Sequence, residues 1–311
     1  MKPLEDSEDI KALLKRVRRV EIVAQRLVNE ELSGRYHSVF KGRGMSFEEV
    51  RPYSPGDEVR LIDWNVSART GEVYVKQFVE ERELTVVIVA DASSSMDFGL
   101  CETRYQKLKR VEVFENTKRQ LSAEIAAAIA LSAQMNNDRV GLVTFGSDIE
   151  RFVPPKKGRL HCLRVIREVL AMKAKGRASD LGKALSFLGR VLKRKSAIFI
   201  VSDFEVLDFE KPLRVLSRRH DIHAFIVRDP FEDRLPLGGI VALKDAETGE
   251  IVFVRATKAL VQRLQENAMR HLSEVETVLN RLRVPFTYFY TDRPYEISLT
   301  RHFARLQGKA M

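Results

Sequence analysis

Two cysteines, Cys101 and Cys162, are all that the 311 residues contain. So few exclude a disulfide framework and any cysteine-built zinc site, and a reducing cytoplasm is the expected location. No run of about 18 uncharged apolar residues occurs, so no membrane-spanning helix is expected. The first residues carry charges throughout (Lys2, Glu5, Asp6, Lys11, Arg16, Arg18) and lack the apolar core of a secretory signal. Nucleotide and hydrolase signatures are missing too: there is no G-x-S-x-G elbow, no H-E-x-x-H, no P-loop and no G-x-G-x-x-G after a strand. The six histidines show no metal-ligand spacing beyond His220-x-x-His223, which spans a helix end and a strand start and reads as a chance match.

What is present fits a globular chain. Hydrophobic residues make up 44%, charged residues 31%, and the mean hydropathy is −0.22. That is enough apolar material for one large domain or two ordinary ones. The formal net charge is +10, and it is unevenly placed. Residues 151–219 hold 18 basic and 6 acidic side chains, so the rest of the chain is slightly acidic. Lys156, Lys157, Arg159, Arg164, Arg167, Lys173, Lys175 and Arg177 are either a solvated surface or a rim for an acidic partner. Nucleic acid is the competing partner class, but no aromatic interleaving supports base stacking.

Residues 8–32 read as one amphipathic helix, with Ile10, Leu13, Leu14, Val17 and Val20 at three- and four-residue steps and Ser33-Gly34 at its end. From residue 35 to 83, Gly, Pro and Asp punctuate the chain, which predicts short strands and turns. The texture then changes. Continuous apolar runs at 84–90, 140–145, 197–201 and 222–227 suit strands buried on both faces, and a fifth run lies at 286–290. Helical patterns separate them at 116–136, 159–171, 180–193, 211–219 and 256–282. This alternation predicts an α/β fold, a doubly wound and mainly parallel sheet of Rossmann-like type. Residues 239–254 alternate with period two around Thr248-Gly249 and read as an inserted hairpin. The expected organisation is therefore a helix plus a β-rich segment over 1–83, then an α/β domain over 84–311 with an insertion near 235–256.

The first buried strand runs straight into Asp91-Ala-Ser93-Ser94-Ser95. In an open α/β sheet, ligands bind beyond the carboxyl ends of the strands. A carboxylate and two hydroxyls there are hard oxygen donors suited to Mg²⁺. Asp203 follows the 197–201 strand in the same way, and Ser179 lies just ahead of a helix. Ser179 has an equally good alternative role as that helix's N-cap, and Asp97 reads as an exposed turn residue.

These residues resemble the metal-ion-dependent adhesion site of von Willebrand factor A domains. Asp91, Ser93 and Ser95 match its first loop. Ser179 matches the second, where Thr is usual, and Asp203 the third. The upstream block Gly42-Arg-Gly44-Met-Ser-Phe47-Glu48 and Arg51-Pro-Tyr53-Ser-Pro-Gly56-Asp57-Glu-Val-Arg60-Leu-Ile-Asp63-Trp64-Asn-Val-Ser-Ala68-Arg69 looks like the hallmark of the bacterial and archaeal domain-of-unknown-function family number 58. So do Val79-Glu80-Glu-Arg82-Glu83 and Asp245-Ala-Glu247-Thr-Gly249. The resemblance spans about residues 33–300. It implies a von Willebrand factor A-like fold and a non-enzymatic, metal-dependent interaction module. The metal would be Mg²⁺, with Mn²⁺ or Ca²⁺ as alternatives, held by Asp91, Ser93, Ser95, Ser179 and Asp203. The implied partner offers an acidic side chain and is a MoxR-type AAA+ ATPase or its client. Arg51, Asp57, Arg60, Asp63, Trp64 and Arg69 are expected to form a charge-paired seam fastening the upstream block to the α/β domain.

Overall fold

The apolar runs become a sheet because each is long enough for one strand and apolar at every position, so both faces need cover. The computed structural model describes residues 45–80, 84–99, 101–102, 115–172, 179–206, 208–233, 240–244 and 251–308. The expected helix over 8–32, Gly42, Gly44, Lys173, Lys175, Arg177 and the Thr248-Gly249 turn lie outside the described residues.

In chain order the strands are β1 (Met45–Pro52), β2 (Tyr74–Glu80), β3 (Thr85–Asp91), β4 (Cys101–Glu102), β5 (Glu115–Asn116), β6 (Arg139–Phe145), β7 (Ile149–Lys156), β8 (Ala197–Ser202), β9 (Asp221–Arg228), β10 (Ile240–Lys244), β11 (Ile251–Arg255) and β12 (Phe286–Tyr290). The helices are α1 (Trp64–Thr70), α2 (Lys118–Met135), α3 (Arg159–Leu170), α4 (Leu181–Val191), α5 (Glu210–Ser217), α6 (Pro230–Asp233), α7 (Lys258–Arg281) and α8 (Tyr295–Gly308).

The main sheet has six strands in the order β12-β9-β8-β3-β6-β7, parallel except for β7. This is the expected doubly wound, mainly parallel architecture. Successive strand residues point to opposite faces. Val86, Ile88 and Ala90 of β3 pack with α2, α3 and α8, and Val87 and Val89 pack with α4, α5 and α7. The winding leaves β3 in one direction toward β6 and returns on its other side at β8. That reversal opens a crevice beyond the carboxyl ends of β3 and β8.

Three elements depart from the sequence expectation. Strand β7 lies where the sequence pattern placed no element, and it carries Pro154 and Pro155. An edge strand tolerates proline because only one of its sides is paired. Its neighbour Gly141 accommodates the ring, since a Cβ there would lie 2.8 Å from Pro155 Cγ. Helix α1 stands inside the segment expected to hold only strands and turns. Asp63 caps it by accepting from the backbone N–H groups of Asn65 and Val66, and Gly71 closes it at φ 77°. Helix α8 follows the last strand and supplies buried Leu299 and Phe303 to the core.

At Arg51, Asp57 and Asp63 the described pairs differ from the expected seam. Arg51 forks onto Asp57 with two bonds of 2.7 Å, and Asp63 faces Lys76 at 3.6 Å. These partners all lie within 45–80, so the charges brace the segment itself. Trp64 stays two-thirds exposed.

Gly182, in the first turn of α4, is the closest approach near the crevice. A Cβ added there would sit 2.6 Å from the carbonyl oxygen of Asp208. Because the obstacle is backbone, Gly182→Ala is expected to cost about 1–3 kcal/mol. Denaturant unfolding should show a lower midpoint at an unchanged slope.

Candidate functional site

Strand β3 ends on Asp91, which the sheet buries to 1% exposure. Its Oδ1 accepts from the Ser93 N–H at 2.9 Å. Its Oδ2 accepts from the Ser202 hydroxyl at 2.7 Å and the Ser179 hydroxyl at 3.2 Å. The Ser93 and Ser95 hydroxyls are 3.0 Å apart, and the Ser95 hydroxyl is near enough to help lower the Asp203 pKa. The structure thus brings Asp91, Ser93, Ser95, Ser179 and Asp203 together from three loops: hydrogen bonds link the first four, and Asp203 is close enough to act on Asp91 and Ser95 electrostatically.

The alternative role of Ser179 goes to its neighbour. Asp180 caps α4, accepting from the Lys183 N–H at 2.8 Å, which leaves the Ser179 hydroxyl directed at Asp91. Asp97 lies on a short 3-10 turn over Ser94–Asp97 and pairs with Arg119 at 2.5 Å. Arg119 also donates to the Ser93 carbonyl at 2.8 Å, so this pair fastens the first loop to α2. Phe204, next after Asp203, is buried with φ 56°. Its N–H donates to Ser202 Oγ, and its carbonyl accepts from His271. A bulky residue in the left-handed region is strained, and such strain persists only where neighbours over-determine it. Here it turns the chain sharply after the Asp203 carboxylate.

The sequence reading missed the other side of the site. Lys118 is 1% exposed, and its ammonium donates to Asp203 Oδ2 at 2.8 Å and Glu232 Oε1 at 2.5 Å. Glu232 also accepts from the Asp229 N–H and faces Arg228, which bonds Glu205 at 3.0 Å. The sequence signal for Lys118 was slight: one lysine opening an alanine-rich helix just after its Thr117 cap. Ser202 was the more findable residue, because it ends a buried strand immediately before Asp203.

The electrostatics follow from burial and charge. Burial first, and then the Asp203 charge, push the Asp91 carboxyl up to about 6, although its hydrogen bonds pull the other way. Burial also raises Asp203, but the Lys118 ammonium outweighs it and holds that carboxyl below its ordinary value. Lys118 is disfavoured by burial, and its two carboxylate partners more than restore its charge. The two aspartates therefore behave unequally, with Asp203 partnered by a cation and Asp91 by neutral donors.

Lys156, in the basic stretch, stands away from this site. Lys156 pairs in register with Val140 at the amino end of β6, while Asp91 is level with Phe145 at its carboxyl end. Five residues of strand separate the two levels, about 16 Å. Lys156, Arg159, Arg164 and Arg167 are exposed; Lys156 and Arg159 stand near the far end of the sheet, whereas α3 runs back so that Glu168, beside Arg167, pairs with Arg151 at the level of Thr144.

Among the described residues, no helix is long and apolar enough to cross a membrane. Among the described residues no cluster of three or more His, Cys, Asp or Glu side chains suits a metal, so any ion at this site depends on hydroxyl donors beside the two aspartates.

The chain is 32% identical over 301 residues to an uncharacterized protein of Mycobacterium tuberculosis, covering 95% of this chain and 90% of the relative, and it matches an uncharacterized protein of Mycobacterium bovis to the same degree. Among solved structures it is similar to the conserved hypothetical protein BatB from Bacteroides thetaiotaomicron, at 13% identity and a TM-score of 0.43, covering 72% of this chain and 99% of that one. It is also similar to a von Willebrand factor type A structure from Catenulispora acidiphila, at 13% identity and a TM-score of 0.40, covering 76% of this chain and 45% of that one. The family model described as protein of unknown function DUF58 matches residues 49–274, and the chain belongs to that family.

Proposed function

We propose that the protein is a non-enzymatic interaction module whose crevice site binds a divalent cation and, through it, an acidic side chain of a partner protein. The observation that carries this reading is the convergence of Asp91, Ser93, Ser95, Ser179 and Asp203 on one site at the winding reversal. The donors fit a hard ion, since they are carboxylates and hydroxyls with no sulfur or imidazole among them. Mg²⁺ is the ion of choice, with Mn²⁺ or Ca²⁺ as alternatives.

A buried carboxylate near a second one is unfavourable, and the Asp91 carboxyl is raised by burial first and by the Asp203 charge second. A dication between the two would offset both effects. Neutral hydroxyls complete the set without cancelling the ion's charge, so the ion retains attraction for one more carboxylate. The same carboxylates suit holding better than proton transfer, because each already accepts two or more hydrogen bonds. The resemblance to A domains that work beside MoxR-type AAA+ ATPases makes such an ATPase, or its client, the partner of this reading.

Thermal or denaturant unfolding of the purified chain tests it. A divalent ion in hundredfold excess over its dissociation constant is expected to add about 2.7 kcal/mol of stability. Asp91→Ala should abolish the increment, and it should also abolish ion-dependent capture of the purified ATPase. Stability indifferent to millimolar Mg²⁺, Mn²⁺ and Ca²⁺, with capture unchanged in chelator, would refute the reading.

A further inference from the structure

Lys118 occupies a position that ordinary helix chemistry disfavours. It is the first residue of α2, after the Thr117 cap, where the helix dipole presents its positive end. Cations belong at the other terminus. It is also among the largest fully buried side chains of the protein. Burying an ammonium costs several kcal/mol unless it is paired in good geometry. No requirement of the helix or of the core accounts for a lysine here, and a methionine would fill the same space.

The pairing accounts for it. The ammonium bridges Asp203, which is in the candidate ion site, and Glu232, which is outside it. Glu232 is itself anchored by the Asp229 N–H at 3.1 Å and by Arg228 at 3.3 Å, so it stays in place whichever way the ammonium leans. We propose that Lys118 is a tethered cation that sets the occupancy of the site: it neutralises Asp203 in the ion-free protein, and an incoming dication displaces it toward Glu232. The proposal rests on the reading that Asp91 and Asp203 hold a cation, and it goes further by assigning the residue that tunes their affinity. A divalent ion must compete with a covalently attached monovalent one for the same carboxylate. The binding strength that the oxygen donors supply is reduced by the cost of moving the ammonium.

This makes two substitutions act in opposite directions. Lys118→Met removes the competitor and leaves Asp203 unpaired, so Mg²⁺ and Mn²⁺ should bind at least about tenfold more tightly, about 1.4 kcal/mol. Glu232→Gln removes the second seat of the ammonium and leaves it committed to Asp203, so the same ions should bind severalfold more weakly. Titration calorimetry on the full chain with each metal alone reads both. If Lys118→Met folds only when the ion is present, its folding midpoint against ion concentration replaces the calorimetric constant, and ion-dependent folding supports the proposal.

The outcomes separate the proposal from the reading beneath it. Wild type that binds no ion beside a Lys118→Met variant that does would uphold the tethered cation and refute ion-mediated recruitment by the native chain. Wild type that binds through Asp91, with Lys118→Met no tighter, would overturn the tethered cation and leave the reading standing. Neither chain binding would overturn the proposal. So would a Lys118→Met variant that stays unfolded in excess ion while Glu232→Gln binds as wild type.

Discussion

Lowering the pH below about 6.5 is expected to destabilise the protein by about 1.4 kcal/mol per pH unit through His302 alone. This side chain is 2% exposed on α8, with its ring against Phe225 and Phe303. Its Nδ1 lies 2.9 Å from Thr287 Oγ1, and its Nε2 lies 3.0 Å from His223 Nδ1. The Thr287 hydroxyl donates to the Phe286 carbonyl at 2.9 Å. The network then assigns the protons: His302 Nδ1–H donates to Thr287, and His223 Nδ1–H donates to His302 Nε2. A second proton on His302 would face a donor, in an apolar site.

Burial first, and then the Arg305 charge, depress the His302 pKa to about 3. The unfolded chain takes up the proton near pH 6.5 and the folded chain does not. The contribution to stability is therefore complete above that value and is lost progressively as pH falls toward about 3, reaching about 5 kcal/mol in total. Denaturant unfolding of wild type and His302→Leu at a series of pH values checks this. The variant starts less stable, because Thr287 and His223 lose a partner, but its curve should be flatter below pH 6.5 by the stated slope. Parallel curves would assign the acid sensitivity to other groups. His220, also buried and depressed by burial, acts in the same direction in both chains and cancels in the difference.

The second large effect has the opposite sign. In chelator at neutral pH, Asp91→Asn is expected to stabilise the protein by about 3 kcal/mol, an unusual outcome for a change at a buried site residue. The folded-state pKa of Asp91 is raised to about 6 from an ordinary 3.8. The favourable state is thus the protonated one. Its contribution is complete below about 3.8 and is lost as pH rises through about 6, when the folded protein must hold a buried carboxylate beside Asp203. The amide keeps an acceptor for the Ser93 N–H and offers a donor to the hydroxyls of Ser179 and Ser202, which accept as readily as they donate. The advantage of Asp91→Asn should vanish near pH 4 and be full near pH 7.5. Adding divalent ion should reverse the order, because only wild type has the carboxylate to bind it. A variant less stable than wild type at both pH values would mean that the Asp91–Asp203 repulsion is already relieved in the ion-free protein.

The sequence made the sheet legible because strands buried on both faces have a one-dimensional signature. Ala197–Ser202 is apolar at five successive positions and then polar, and no helix of that length needs such a run. Helix α4 was legible from its amphipathic spacing and from the polar residues ahead of it. Strand β7 was not, because its prolines are forbidden in a central strand and allowed only at an edge, and edge position is a property of the sheet. Helix α1 was overlooked although its signals were present: Asp63 as a cap and Gly71 as a left-handed stop are both local chemistry.

The candidate site divides along the same line. By itself the sequence determined the strands of the sheet, the placing of Asp91 and Asp203 immediately beyond two of them, and the hydroxyls at alternate positions after the first. These follow from patterns within a few residues, where backbone geometry fixes what is adjacent. Only the tertiary structure decided that Asp180, and not Ser179, caps α4, that Lys156 stands at the opposite end of the sheet from Asp91, and that a buried ammonium 85 positions before Asp203 is its partner. Electrostatic interaction depends on distance in space and on the loss of water around the charges. Neither quantity exists in a chain until the sheet has closed around them.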